Sequence, residues 1–141
     1  MTGQEAGSVR AMPTQARVVW DQSFTGYDFG MEHPMNPLRL DLTARLCAAF
    51  GLFDGPDVEL VNPGVPDDDV LLTVHDADYV AAVRHASVEP GGADQSRGLG
   101  TEDDPAFLKM HEISARIAAG SLDVAGAVWR GETEHGVNFC G

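Results

Sequence analysis

Apolar and polar positions alternate between two patterns along this chain. "ARVVW" at 16–20 is a short β-branched apolar run closed by Asp21, and it predicts a buried first strand. Residues 22–36 follow as a loop carrying Phe24, Tyr27 and Phe29 between glycines. Leu38, Leu42, Leu46 and Ala49 then repeat at helical spacing. They predict a helix from Pro37 to Phe50, opened by Asn36-Pro37 and closed by Gly51. "VELVNP" at 58–63 predicts a second strand, and "PDDDVLLTV" at 66–74 a helical turn with acids in its opening. Asp76 opens a further helix with Tyr79, Val80 and Val83 on its apolar face.

Residues 88–105 hold four glycines and no apolar period, so they read as a long loop. Asp104-Pro105 repeats the cap-plus-proline opening. The helix expected after it carries Phe107, Met110, Ser114, Ile117, Ser121, Ala125 and Val128 on one face and ends near Gly131. "HGVNFC" at 135–140 predicts a third strand. Strands alternating with helices give an α/β fold with a parallel sheet. Three strands are few for such a sheet, and the pattern reads as cut in the middle of a fold.

Composition narrows the function classes. The balance of 43% hydrophobic and 22% charged residues is that of a globular domain. A net charge of −13 repels nucleic acid and anionic membranes, which excludes both as expected partners. Residues 1–16 are polar, with no apolar run, and read as a flexible N-terminal extension to a domain at 17–141. Cys47 and Cys140 read as buried thiols of a reducing cytoplasm.

Most familiar chemistry is missing. There is no phosphate loop, no dinucleotide fingerprint and no G-x-S-x-G elbow. None of the five histidines pairs at metal-ligand spacing; His75 with Asp76 and Asp78 comes nearest, and helix capping accounts for those acids. His111-Glu112 falls inside a helix as a surface or core contact. Glu102, Asp103 and Asp104 supply more carboxylates than a cap uses, which suits a rim that accepts a ligand's N–H groups. Arg39 is the oddity. A cation in a helix's first turn opposes the dipole, so it either points outward or serves a buried anion.

Four segments together resemble a family. "HPMNPLR" at 33–39 resembles the H-P-x-x-P-x-R segment of histone deacetylases and the bacterial acetoin-utilization (AcuC-type) deacetylases. "HDADYV" at 75–80 is similar to the family's His-x-x-Asp-Tyr helix, and "GTEDDPAF" at 100–107 to its E-D-x-P-x-F loop. "GVNFCG" at 136–141 is similar to the strand leading into its Gly-Gly-x-His-His motif. The resemblance implies the arginase/deacetylase three-layer α/β fold with an eight-stranded parallel sheet. It implies a zinc hydrolase that removes acetyl groups from acetyl-lysine in a protein, or from a small-molecule amide. In that family zinc polarises the amide and activates water, tandem histidines move protons and a tyrosine steadies the oxyanion.

Carried over residue by residue, the resemblance gives Asp103 the substrate rim, gripping backbone N–H groups. It puts Arg39 behind the site, lining an internal cavity for departing acetate, with Met35 and Tyr27 as walls and Gly141 as the first motif glycine. The tandem histidines would come three residues after Gly141, and the zinc ligands later still. The expectation is therefore the N-terminal portion of an AcuC-like deacetylase, with no catalytic or metal residue of its own and inactive alone. The alternative is a non-catalytic remnant that binds a partner, or itself, through an unfinished sheet edge. An arginase-branch amidohydrolase fragment is a third, less favoured reading.

Overall fold

The three apolar runs become three parallel strands. A computed structural model describes residues 14–27, 29–30 and 32–140. Strands β1 (Thr14–Val19), β2 (Val58–Val61) and β3 (Thr133–Asn138) lie in the order β2-β1-β3. In register, Val18 sits between Leu60 and Val137, and Val19 between Val61 and Asn138. Central β1 buries Val18 and Val19. Parallel neighbours need crossovers. Helix α1 (Leu38–Ala49) supplies the first; α2 (Asp68–Leu71), α3 (Ala77–Val88) and α4 (Met110–Arg130) supply the second. The α/β parallel architecture is as the sequence predicts, with three strands among the described residues.

Strand β1 starts earlier than expected. Thr14 pairs with Thr133 and Ala16 with Val58 and His135, so the last residues assigned to the extension belong to the sheet. These partners are distant in sequence, and no local pattern announces them. Residues 1–13 of that extension lie outside the described residues.

Helix α1 opens as Asn36-Pro37 suggests, with Leu38 N donating to Asn36 Oδ1 at 2.9 Å. Gly51 closes it at φ +67, a conformation that costs glycine little. Its buried face, however, is not the predicted one. Leu40 and Ala44 face the core, while Leu38, Leu42 and Leu46 stay 52–58% exposed. Two stripes share the i, i+4 spacing, and Leu40 is selected because it packs in one cluster with Tyr27, Ala86, Leu99, Phe107 and Met110.

Helix α4 departs further from expectation. It begins at Met110 rather than at Pro105, so Asp104 is not its cap. Its first N–H groups are met by another helix. Ser87, buried at the end of α3, accepts from Lys109 N through its carbonyl at 3.0 Å and from His111 N through its Oγ at 2.6 Å. Lys109 turns into the helix at φ +64, in the left-handed region. The buried positions are Met110, His111, Ala115, Gly120, Val124 and Ala127, while Ser114, Ala125 and Val128 are exposed. The helix begins later than predicted, and its packed face is rotated from the predicted one.

The packed face of α4 lies directly on the sheet. A Cβ on Gly120 would sit 2.7 Å from Val19 Cγ1, and one on Gly136 would sit 2.7 Å from Val124 Cβ. Asn138 Nδ2 donates across this contact to Ile117 O and Ser121 Oγ at 3.0 and 3.1 Å. Arg17 of β1 grips Asp123 of α4 through two bonds of 2.6 and 3.0 Å and reaches Glu59 of β2 at 3.1 Å.

Two substitutions separate the two possible caps of α4. Ser87→Ala leaves a buried N–H without its acceptor and should lower the unfolding free energy by about 1–2 kcal/mol. Asp104→Asn should be neutral or slightly stabilising at pH 7. Burial pushes that carboxyl up, so its ionised form is a cost of folding that the amide removes. Urea denaturation of both variants checks this; equal losses would return Asp104 to the cap.

Candidate deacetylase cavity and rim

A cavity of about 90 Å³ lies where the loop after β1 meets the start of α1 and the first half of α4. Tyr27, Phe29, Met35, Arg39, Phe107 and Cys140 form most of its wall. Three of the residues assigned to an internal cavity from the sequence, Tyr27, Met35 and Arg39, therefore line one space. Gly141, the fourth, lies outside the described residues. Phe29, Phe107 and Cys140 were not singled out. Phe107 stands inside the E-D-x-P-x-F segment, and Cys140 directly precedes Gly141, so the same motifs carried the signal.

Local structure explains why these side chains converge. Asp21 caps the 3-10 turn Gln22–Gly26 by accepting from Ser23 N at 2.9 Å. Phe24, fully buried, anchors that turn beside Val19 and Val124. The chain leaves the turn extended at Tyr27. The Phe29 ring then meets Tyr27 at 5.2 Å, His33 at 4.8 Å and Phe107 at 5.5 Å between centroids. His33 Nδ1 accepts from Met35 N at 3.1 Å, which fixes the bend before α1.

The polarity of this cavity is specific. Arg39 sits in the first turn of α1 with Nη2 3.7 Å from Met35 Sδ, a weak acceptor. No carboxylate pairs with it among the described residues. The Tyr27 hydroxyl is buried and has no hydrogen-bond partner there. Such a group costs roughly 1–3 kcal/mol unless something accepts from it. Burial pushes the Cys140 thiol up to about 11, against the pull of the Arg39 cation in the other direction. A cation and an unsatisfied hydroxyl at an apolar wall suit a small carboxylate.

Asp103 lies elsewhere. It is exposed and does not line the cavity. It stands in a turn built by its neighbours: Gly100 N and Thr101 N donate to Asp104 O at 2.8 and 3.2 Å, and Asp104 N donates to Thr101 Oγ1 at 3.1 Å. The loop behind it is pinned. Leu99 is 1% exposed in the core, and Arg97 ties Asp78 of α3 at 2.8 Å to Asp94 at 3.0 Å. The Asp103 carboxylate has no partner among the described residues. It is displayed on a turn closed by hydrogen bonds.

Metal chemistry does not fit these residues. No three His, Cys, Asp or Glu side chains among the described residues come close enough to hold an ion. His111 is core, with Nε2 3.3 Å from Asp68 Oδ1 and off the line of a hydrogen bond. Asp68 is itself held low by its two bonds from Arg84. His75 stacks near Tyr79 at 5.5 Å. No helix of the described residues is long and apolar enough to cross a membrane.

The comparisons with known proteins bear on this geometry. The sequence model of the histone deacetylase domain matches residues 33–141. The chain belongs to the histone deacetylase family. It is 36% identical over 125 residues to the acetoin utilization protein AcuC of Bacillus subtilis (strain 168). Identity is 34% to that of Staphylococcus aureus (strain MSSA476) and 33% to that of Staphylococcus xylosus. Each match covers 87% of this chain and 32% of the relative, so the chain spans about a third of the length of these proteins.

The influence of the Arg39 cation on Cys140, which shares its cavity wall, can be read chemically. In a Cys47→Ser variant, a thiol at about 11 rather than the usual 8.5 to 9 holds over a hundredfold less thiolate at pH 8. Its greater nucleophilicity returns part of that, leaving roughly a tenfold slower reaction with a disulfide reagent than a free cysteine peptide. Arg39→Met should slow it further by removing the stabilising cation. A rate unchanged or raised by Arg39→Met would take Arg39 away from this wall.

Proposed function

We propose that this chain is the N-terminal portion of an AcuC-like, zinc-dependent acetyl-lysine deacetylase. In this reading it contributes the peptide-gripping rim and the rear cavity, and zinc and the proton-transfer residues come from sequence it does not contain. The observation that carries the reading is the convergence of Tyr27, Met35 and Arg39 on one cavity whose free polarity suits acetate. Asp103, on its ordered turn, supplies the acceptor for the substrate's backbone N–H groups. Arg39 holds the product carboxylate by charge rather than catalysing its formation.

The test is a chimera in which this chain replaces the matching segment of the Bacillus subtilis relative. The chimera should release acetate from an acetylated peptide, and the isolated chain should release none and bind no stoichiometric zinc. Asp103→Ala should lower kcat/KM by about tenfold or more, since one lost charge-assisted bond costs roughly 1.5–3 kcal/mol, while zinc content holds. Arg39→Met should weaken inhibition by acetate several-fold and leave KM for the peptide unchanged. A well-folded chimera with activity indifferent to both substitutions would remove the assigned roles.

A further inference from the structure

A second and larger cavity, about 280 Å³, opens between α3 and α4 beneath the turn at residues 99–104. Most of its wall is apolar, including Val80, Val83, Leu99, Met110 and Ala115. Its polar groups are His75, Asp104, His111 and Ser114, with the Tyr79 ring beside His75. His111 Nε2 is buried 3.3 Å from the Asp68 carboxylate. Asp104 is different. Its backbone is fully engaged in the turn, but its carboxylate has neither a hydrogen bond nor an ion pair among the described residues. It is partly buried, and burial pushes it up. Every other aspartate or glutamate of the described residues with a resolved shift is held low by a hydrogen-bonding neighbour instead.

We propose that this cavity binds an amphipathic organic monocation, with the ammonium group on Asp104 beside the His75–Tyr79 pair and the apolar body against Val83, Leu99 and Met110. The chemistry follows from what the cavity lacks. A partly buried carboxylate without a counter-charge attracts a cation more strongly than a fully exposed one. An aromatic face adds to that attraction. The apolar wall disfavours a bare, strongly hydrated metal ion, and no second carboxylate lines the space to coordinate one. The net charge of −13 raises the local concentration of cations at every approach. This site is separate from the acetate cavity: the two share only Ser114 in their walls.

The probe is benzylammonium, with benzyl alcohol as its neutral isostere, titrated into the 15N-labelled chain at pH 8 and 150 mM salt. Amide shifts should cluster at Tyr79, Leu99, Asp104 and Met110, and benzylammonium should bind roughly tenfold or more tightly than the alcohol, as one charge-assisted contact predicts. Asp104→Asn should abolish the preference while retaining weak binding of both. Equal binding of the two probes would overturn the proposal. So would shifts centred on the exposed leucines of α1 or on Trp129, or an undiminished preference in Asp104→Asn.

Discussion

The structure depends on how closely α4 lies on the sheet. At Gly120 and again at Gly136 there is no room for a Cβ, so helix and strands meet backbone to side chain. That distance lets Asn138 span from β3 to two turns of α4, and lets Arg17 close its fork on Asp123. Because the sheet-packed stretch is fixed, the first turns project past the sheet with little freedom. Met110, Ile113 and Ile117 are carried to the wall of the Arg39 cavity or the core beside it. A methyl group at 120 would lift the whole helix, and with it both cavity walls, since overpacked sites relax by moving neighbours.

At its other end α4 is positioned by α3 rather than by its own sequence. Ser87 supplies a side-chain and a backbone acceptor to the helix start, and the chain enters through Lys109 in the left-handed region, which costs roughly 1–2 kcal/mol outside glycine. The strain is held by packing on both sides: Phe107 and Met110 are buried in one cluster with Ala86 and Leu99. The same arrangement frees Asp103 and Asp104 from capping. Their turn is closed by backbone bonds and Thr101, so both carboxylates remain available for other work.

The sequence made the elements legible, because apolar runs and helical spacing are local. All three strands and the helices near 37–50, 77–88 and 110–130 follow from pattern and punctuation. What stayed hidden was set by distant partners. Helix α1 offers two apolar stripes, and only contact with Tyr27 and Met110 decides for Leu40. The start of α4 looked like Asp104-Pro105 because a local cap is the usual rule, whereas the acceptor comes from Ser87, far back in the chain. For the candidate site, the motif at 33–39 pointed to Met35 and Arg39 and the family resemblance to Tyr27, and their convergence follows from the 3-10 turn and the Phe29 cluster. The family resemblance singled out Asp103 within its acidic triplet. Spacing could not reveal Asp104, whose carboxylate matters through what fails to reach it.

Electrostatics divide the two cavities more sharply than shape does. They lie on either side of the first turns of α4, with Ser114 in both walls. Among the described residues, one carries an arginine with no carboxylate partner and the other an aspartate with no cation. In a chain of net charge −13, an isolated cation is the rarer arrangement, since each of the other arginines with a charged contact meets an acid within 4 Å. Pairing Arg39 with Asp104 would neutralise both, but the two line different cavities. Arg39 is exposed to solvent and Asp104 partly buried, so the surroundings strengthen the aspartate's charge more than the arginine's. The proposed ligands, a small carboxylate on the Arg39 side and an ammonium group on the Asp104 side, differ in the sign of charge they need.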